Sequence, residues 1–460
     1  MEETYKGNDR LIFGIGVGIL TYWLFSQALL NTVPDVQQDL AINTNIIGIG
    51  ISATSLFFGI FVVVAGGFVD RYGAVRITMI GLVLSVIGSI LLVISTGSIM
   101  FISGRIIQGL SAACIMPSTL SLIKSYYKDE QRQRALSFWA IGSWGGTGLC
   151  SLVGGAIASS IGWRWIFVFS IVFALFSIFL IKGTPETKVI ASSSTKKFDF
   201  AGLMVFIISM VSLNIIITQG SKLGWTSIST IILGILCIVS AILFFQFELK
   251  KKDKSFIDFS IFKNKAYSGA TLSNFLLNSA AGTLIVINTY IQLSRGFSAF
   301  ETGLLSIGYL VCILIMIRVG EKALQKIGAR KPMMLGAFIS ALGITLMALT
   351  FLSNSLYIVF VIIGFILFGT GLGFYATPST DTAVSNSPEG KAGVATGIYK
   401  MSSALGGSLG IAISSSVFNA LNVQGNIDFA AMIGLSVSIV SCLLALLSVF
   451  ITTPKDVKTV

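Results

Sequence analysis

Two basic residues, Arg105 and Lys400, interrupt long apolar segments of a chain that contains no histidine. The lack of histidine excludes an imidazole metal site, a Ser-His-Asp triad and a histidine proton relay. A charged side chain at the centre of a membrane costs at least about 2.5 kcal/mol, so it must face a polar interior or a partner. Lys400 is therefore a candidate for proton handling and Arg105 is expected to contact a polar partner, although either could instead extend its long side chain to the interface.

The acidic residues lie away from the middle of every apolar segment. Asp35 follows the first segment, and Glu301 opens the tenth. We expect these two to be the preferred proton-coupling carboxylates, because each is adjacent to a helix that should line a central cavity. The alternative is that both are solvated loop charges.

The composition predicts an integral membrane protein. Of 460 residues, 54% are hydrophobic and 11% are charged, whereas a soluble domain carries roughly 25% charged residues. The five cysteines have no paired spacing, which predicts buried thiols and no disulfides or metal ligands. Neither a metal site nor clustered catalytic groups are evident, so we expect no enzyme and no cofactor.

The apolar segments predict fourteen membrane-spanning helices, each near the roughly 20 residues that a bilayer requires. Ten or twelve spans are the competing counts. The predicted spans are 11–31, 46–69, 77–95, 99–123, 135–158, 164–183, 200–219, 227–247, 266–293, 300–320, 332–352, 356–378, 391–418 and 430–452.

Most of the 31 basic residues fall in loops on the side of the membrane that would hold both termini. The positive-inside rule then places both termini in the cytoplasm. The net charge of +12 is thus a topology signal, and we expect no nucleic-acid partner because the charges are scattered over short loops next to lipid.

The spans divide into two groups of six around an inserted pair. The predicted organisation is an N-terminal bundle (1–183), a two-helix hairpin with cytoplasmic linkers (184–265) and a C-terminal bundle (266–460). The loops 66–76 and 321–331 support it, since each follows the second span of its group and has a basic residue two positions before Gly-Ala. Such repeats are typical of transporters.

Residues 66–76, GGFVDRYGAVR, resemble the loop signature G-x-L-a-D-R-x-G-R-[KR] of the major facilitator superfamily, in particular its 14-span drug:proton antiporters. The glycines Gly66 and Gly73 would permit a tight turn. The resemblance implies that Asp70, with Arg71 and Arg76, forms a charge latch that holds one alternating-access state. The alternative is that these charges only orient the loop.

The fourth span contains Arg105, Gln108 and Gly109, which resemble the R-x-x-Q-G motif of the drug:proton antiporters. The resemblance implies a role of Arg105 in proton coupling. The family's first-span pattern, D-x-T-x-V-N-x-x-L-P, aligns on Pro34 and places Phe25 where the aspartate is expected. The usual carboxylate is therefore missing here.

The fifth span resembles the antiporter signature G-x-x-x-G-P-x-x-G-G, which is linked to export. Cys150 and Ser151 replace a glycine and the proline. Small residues also favour ordinary close helix packing. The predicted helix-packing motif comprises Gly142, Gly146, Gly148, Gly154 and Gly155.

An apolar, aromatic and roomy drug site with few polar groups is expected on the lining helices. The scarcity of interior carboxylates predicts that strongly dicationic substrates are not preferred. The candidates are Tyr22, Trp23, Gln27, Asn31, Met116, Trp139, Asn274, Asn278, Asn288, Tyr290 and Tyr375.

The segment 163–167 resembles the one that opens the sixth span in 14-span drug exporters, and the segments 111–120, 140–146 and 181–187 are similar to staphylococcal quinolone and multidrug exporters within that family. The resemblance implies proton-coupled multidrug efflux across a bacterial cytoplasmic membrane, including fluoroquinolones, by a monomer with the major facilitator fold. Its expected partners are the lipid bilayer, amphipathic drugs and protons. An uptake porter for a small metabolite, with the same fold, is the alternative.

Overall fold

The computed structural model describes residues 5–42, 44–187, 200–224, 226–251, 259–422 and 425–454, and every regular element in these ranges is a helix. Within these described ranges, eleven helical segments are long and apolar enough to cross a membrane by length and composition. The prediction of an all-helical, multi-span membrane protein is therefore confirmed. Much of the predicted linkers, residues 188–199 and 252–258, lies outside the described residues.

The helix of the first span changes type along its length. Helix α1 (Asp9–Leu20) continues as a π-helix (Thr21–Ser26) and then as a 3₁₀-helix (Gln27–Asn31). The other helices before residue 187 are α2 (Val33–Leu40), α3 (Thr44–Tyr72), α4 (Ala74–Val93), α5 (Ser98–Tyr126), α6 (Asp129–Ala140), a second π-helix (Ile141–Gly145), α7 (Gly146–Ile161) and α8 (Arg164–Ile181).

The described part of the chain after residue 199 is also helical. Its helices are α9 (Phe200–Leu223), α10 (Ile228–Lys251), a 3₁₀-helix (Phe259–Lys263), α11 (Lys265–Ser279), α12 (Gly282–Arg295), α13 (Ala299–Leu305), α14 (Ile307–Ile327), α15 (Arg330–Met347), α16 (Asn354–Ser385), α17 (Ala392–Asn422) and α18 (Ile427–Thr452).

The described residues cluster into two compact units. The first unit draws on Met1–Ile216, Ile228–Ile261 and Ser387–Met401, and the second on Ile217–Ser227, Phe262–Asn386 and Ser402–Val460. Helix α17 thus contributes its first turns to the first unit and the rest to the second.

In the first unit, α5 packs between α3 and α4. Glycines allow these helices to approach closely. A Cβ atom at Gly81 would lie 2.8 Å from Ile115, and one at Gly88 would lie 3.1 Å from the carbonyl oxygen of Gly104. The outer faces of the helices carry exposed apolar side chains such as Phe179 and Ile235, as a lipid environment requires.

The second unit repeats this arrangement, with α16 packed between α14 and α15. A Cβ atom at Gly336 would lie 2.6 Å from the carbonyl oxygen of Gly371, and one at Gly343 would lie 2.7 Å from that of Gly364. Gly336 and Gly343 have the same spacing, two helical turns, as Gly81 and Gly88. The internal repeat therefore extends beyond the loop pattern into the helix contacts.

Two further features occur in both units. Gly73 joins α3 to α4 with φ +97°, and Gly328 joins α14 to α15 with φ +76°, a backbone conformation that favours glycine. Helices α5 and α16 each contain the tripeptide Pro-Ser-Thr, beginning at Pro117 and at Pro378.

Candidate functional site

The side chain of Arg105 is almost wholly buried in α5, with 1% of its surface exposed. Its Nη1 donates to the carbonyl oxygen of Ser26 at 2.8 Å, to Oγ of Ser26 at 3.1 Å and to Oε1 of Gln108 at 2.7 Å. Oγ of Ser26 donates to the same oxygen of Gln108 at 3.1 Å. The guanidinium is therefore held by neutral acceptors from two helices.

The irregular first span provides one side of this arrangement. Ser26 lies at the change from π-helix to 3₁₀-helix, and such irregular turns often mark functional positions. From α3, Thr54 donates to the carbonyl oxygen of Arg105 at 2.9 Å. We call Ser26, Arg105 and Gln108 the arginine cluster.

The arginine cluster keeps unused hydrogen-bonding capacity. Among the described residues, no carboxylate lies within ion-pair distance of Arg105. Nε of Arg105 and Nε2 of Gln108 are buried, and neither has a hydrogen-bond partner among the described residues. Phe25, at the position of the missing acid, is buried and packs 4.9 Å from the ring of Phe173. The cluster can thus donate hydrogen bonds from these two nitrogen atoms to an additional acceptor.

The other proton-coupling candidates lie in different surroundings. Asp35 is exposed in the first turn of α2. Glu301 closes a capping box with Ser298 at the start of α13, where it accepts from the amide at 2.8 Å and from the hydroxyl at 2.9 Å. Lys400 is buried in the first unit, and its Nζ lies 4.1 Å from the ring centroid of Trp139. Among the described residues of the first unit, no hydrogen bond or ion pair joins Asp35, Lys400 and Arg105 to one another.

Asp70 binds the first turn of α17. Its Oδ1 accepts from the amide of Gly393 at 2.6 Å, and its Oδ2 accepts from the amide of Val394 at 2.9 Å. The free amides and the dipole of a helix N-terminus stabilise a carboxylate. A Cβ atom at Gly66 would lie 2.3 Å from the carbonyl oxygen of Gly393, so the absence of a side chain there permits the contact.

The basic members of the predicted latch are placed differently. Arg71 lies over the ring of Tyr72, 5.5 Å from its centroid, and Arg76 is exposed. The amides of Val75 and Arg76 donate to Glu186, each at 2.9 Å. A Cβ atom at Gly73 would lie 2.3 Å from Cδ of Glu186. Gly73 therefore permits the turn between α3 and α4 and leaves space for the carboxylate of Glu186.

Three of the five predicted packing glycines face the first span. A Cβ atom at Gly142 would lie 3.4 Å from the carbonyl oxygen of Gly16, one at Gly146 would lie 2.9 Å from Trp23, and one at Gly154 would lie 2.7 Å from Ala28. Gly155 has open space beside it, and Gly148 is half-buried. The packing face thus consists of Gly142, Gly146 and Gly154.

The drug-site candidates of the first unit are mostly buried aromatic or apolar side chains. Tyr22 and Trp23 contact each other and Phe58, with ring centroids 4.9 to 6.3 Å apart. Nε1 of Trp23 is buried without a partner among the described residues. Gln27 is half-buried, Met116 and Trp139 are buried, and the side chain of Asn31 lies outside the described part.

In the second unit, Asn274, Asn278 and Tyr375 form hydrogen bonds within the helix bundle. Asn274 Nδ2 donates to Ser402 at 3.2 Å and to Ser403 at 2.5 Å. Asn278 Nδ2 donates to Oδ1 of Asn274 at 2.9 Å. The hydroxyl of Tyr375 lies 2.6 Å from that of Ser273. These contacts join α11 to α16 and α17.

Tyr290 and Asn288 lie on α12 in different settings. The hydroxyl of Tyr290 donates to Asp428 at 2.6 Å and accepts from Arg295 at 2.7 Å, so it is committed to an ion-pair cluster. Asn288 lines a cavity of about 200 Å³ with Leu284 and Gln292. A cavity of about 350 Å³ in the first unit lies between α1 and α6 and contains none of the proposed drug-binding side chains.

The profile of the Major Facilitator Superfamily matches residues 15–411 and 271–458. The chain belongs to this superfamily. The resemblance inferred from the loop at residues 66–76 is therefore confirmed, and membership of the superfamily makes the protein a transporter rather than an enzyme.

Curated relatives within the superfamily cover nearly the whole chain. Quinolone resistance protein NorB of Staphylococcus aureus strain MRSA252 is 52% identical over 454 residues, which cover 99% of this chain and 98% of that protein. NorB of strain COL is 51% identical over 454 residues, with the same coverage. The similarity to staphylococcal exporters inferred from the sequence is confirmed.

Solved structures of the superfamily share the fold at low sequence identity. The human organic anion transporter MFSD10 superimposes with a TM-score of 0.66 at 13% identity, over 96% of this chain and 99% of that chain. The proton:xylose symporter XylE superimposes with a TM-score of 0.66 at 15% identity, over 95% and 94%. The major facilitator fold is thus established for this chain.

Three residues at these sites were missed by sequence reasoning. Ser26 carries no motif of its own, and its role depends on the irregular backbone of the first span. Gly393 lies far along the chain from Asp70. Glu186 was part of a family-like segment, 181–187, and its position just after the sixth span was the only available signal.

Proposed function

We propose that this protein exports amphipathic drugs, fluoroquinolones among them, by alternating access. The observation that carries the proposal is the 52% identity to a quinolone resistance protein along 99% of the chain.

Export is coupled to proton entry, with no other cofactor. The arginine cluster supports this proposal, because a buried guanidinium held only by neutral acceptors responds strongly to any charge that arrives nearby. Its donors without partners, Nε of Arg105 and Nε2 of Gln108, offer such a group hydrogen bonds.

Asp70 biases the transport cycle. Its two hydrogen bonds to the first turn of α17 stabilise the state in which that turn packs against α3. Release of these bonds is then one step of the cycle, and the state of this contact decides which way the transport cavity opens.

The chain crosses the bacterial cytoplasmic membrane fourteen times as a monomer, with both termini in the cytoplasm. In the part of the chain that the structure describes, eleven spans meet the length and hydropathy requirement, and the remaining three correspond to the interrupted pair α6–α7, to α9 and to α15. The basic loops 124–134 and 322–331 support the orientation.

The test uses purified protein in liposomes with an acidic interior. We expect norfloxacin to trigger release of internal protons in the wild type. Arg105→Gln should abolish this release, whereas Lys182→Gln, at an exposed cytoplasmic position, should not change it.

Each other outcome changes the proposal in a defined way. Norfloxacin movement without proton flux would exclude proton coupling. Movement of neither norfloxacin nor protons would contradict drug export and favour the metabolite porter.

A further inference from the structure

Lys400 belongs to the face of α17 that packs in the first unit. Gly393, Thr396, Gly397 and Lys400 follow the spacing of one helix face. A Cβ atom at Gly397 would lie 2.7 Å from the carbonyl oxygen of Val62, and Thr396 donates to the carbonyl oxygen of residue 117 at 3.2 Å. Lys400 is thus the last residue of a tightly packed seam.

The ammonium group of Lys400 lies near two aromatic rings. The side chain is 7% exposed, and its Nζ lies 4.1 Å from the ring centroid of Trp139 and 5.6 Å from that of Tyr399. Trp139 is itself fixed, because its Nε1 donates to Thr119 at 3.0 Å. Among the described residues, no hydrogen-bond acceptor and no carboxylate contacts Nζ.

The aromatic faces alone do not compensate the burial of this charge. An ammonium group has three donors and loses its hydration when it is buried. Ring faces attract a cation but accept no conventional hydrogen bond. A negatively charged oxygen atom can both accept hydrogen bonds from the ammonium group of Lys400 and balance its charge.

The charge balance of the first unit points in the same direction. Arg105 is a second buried cation of this unit, and its described partners are neutral. Both charges lie within predicted spans, while the carboxylate of Asp70, which is bound to helix amides, and the buried carboxylate of Glu248 lie near the ends of α3 and α10. Away from the helix ends, the two buried cations therefore favour an anionic group.

We propose that Lys400 binds a carboxylate group of the exported substrate and that Trp139 holds the ammonium group in place for it. The proposal rests on the proposed function and specifies its substrate class as aromatic amphiphiles that carry a carboxylate. Quinolones have this chemistry, since a carboxylate is attached to their planar ring system. Within α17, the residues up to Met401 belong to the first unit and those from Ser402 to the second.

The experiment compares two ligands that differ only in the carboxylate, norfloxacin and its 3-descarboxy analogue. Binding is measured by equilibrium dialysis on the full chain in lipid nanodiscs. The variants are Lys400→Met, Lys400→Gln and Lys400→Arg, with Lys326→Met, at an exposed position of α14, as the matched control. The glutamine variant gives the same comparison if the methionine variant does not fold.

The wild type should bind norfloxacin at least about 10-fold more tightly than the analogue, as expected for a hydrogen-bonded charge pair. Lys400→Met and Lys400→Gln should weaken norfloxacin binding about 10- to 100-fold and change binding of the analogue less than about threefold. Lys400→Arg should keep the preference for the carboxylate, and Lys326→Met should match the wild type.

Equal weakening of both ligands, or of neither, by the neutral variants at position 400 would overturn the carboxylate assignment. Norfloxacin export in liposomes separates this result from failure of the proposed function. If the wild type exports norfloxacin but Lys400 does not distinguish the two ligands, only the carboxylate assignment is wrong. If the wild type does not export norfloxacin, the proposed function itself is wrong.

Discussion

The contact between Asp70 and α17 gives a quantitative prediction for Asp70→Asn. The carboxylate accepts from the amides of Gly393 and Val394 at 2.6 and 2.9 Å. Asparagine has nearly the same shape but only one acceptor oxygen and no charge. The substitution therefore removes one of the two hydrogen bonds and the attraction of the helix N-terminus, while the glycine packing of Gly66 is unchanged.

A hydrogen bond to a charged group contributes about 1.5–3 kcal/mol to stability, and the interaction of the charge with the helix dipole adds about 0.3–1 kcal/mol. We expect the loss to be on the order of 2–3 kcal/mol. Since 1.4 kcal/mol corresponds to a tenfold change in an equilibrium constant, the population with α17 docked on α3 should fall about 30- to 150-fold relative to the alternative state.

Electron paramagnetic resonance can measure this shift as a distance distribution. Spin labels at positions 72 and 389, both exposed, would report on the ends of α3 and α17 in a background without the five native cysteines. Asp70→Asn should add a population at longer distance. Asp9→Asn, which alters an exposed ion pair with Arg134, should leave the distribution unchanged. An unchanged distribution in Asp70→Asn would refute the assigned role.

Three further substitutions test separate contacts. Gly154→Val should lower the free energy of unfolding by about 1–3 kcal/mol, because its Cβ atom would meet the first span at 2.7 Å; Gly155→Val, which faces open space, should have little effect in the same thermal unfolding assay. Glu186→Gln should speed hydrogen exchange of the first amides of α4 several-fold, because it removes the charge that binds them; exchange at wild-type rates would argue against this cap. Tyr290→Phe should reduce stability by about 1–3 kcal/mol, because Asp428 loses its hydroxyl donor, but norfloxacin binding should be unchanged; a weaker affinity without loss of stability would place Tyr290 in the drug site.

The fold was largely predictable because hydropathy and small-residue spacing are local properties. The boundaries of the fourth span, 99–123, agree with α5 within a few residues. The fifth span, 135–158, shows where such prediction ends. Its sequence contains no charged residue, but the structure interrupts it with a π-helix at Ile141–Gly145, and hydropathy carries no information on hydrogen-bond register.

The arginine cluster was predictable only in part. Arg105 and Gln108 are three residues apart on one helix, so their contact follows from helical spacing alone. Ser26 depends on an irregular turn in a different span, and nothing in its own sequence indicates that turn. The bond from Asp70 to Gly393 joins residues on α3 and α17, and a single sequence does not reveal such a distant partner.

The missing first-span acid and the two buried cations have a common consequence. Phe25 is 3% exposed and occupies an aromatic contact, so it offers Arg105 no charge partner. Lys400 lies against the ring of Trp139. A membrane-buried charge is unfavourable unless it is paired or faces a polar cavity. These two charges have the same sign and cannot pair with each other. We expect these two cations to repel dicationic compounds, whereas an anionic group nearby would lower their energy. If the proposed function holds, Arg105 and Lys400 would therefore distinguish amphipathic substrates that the apolar helices alone would treat alike.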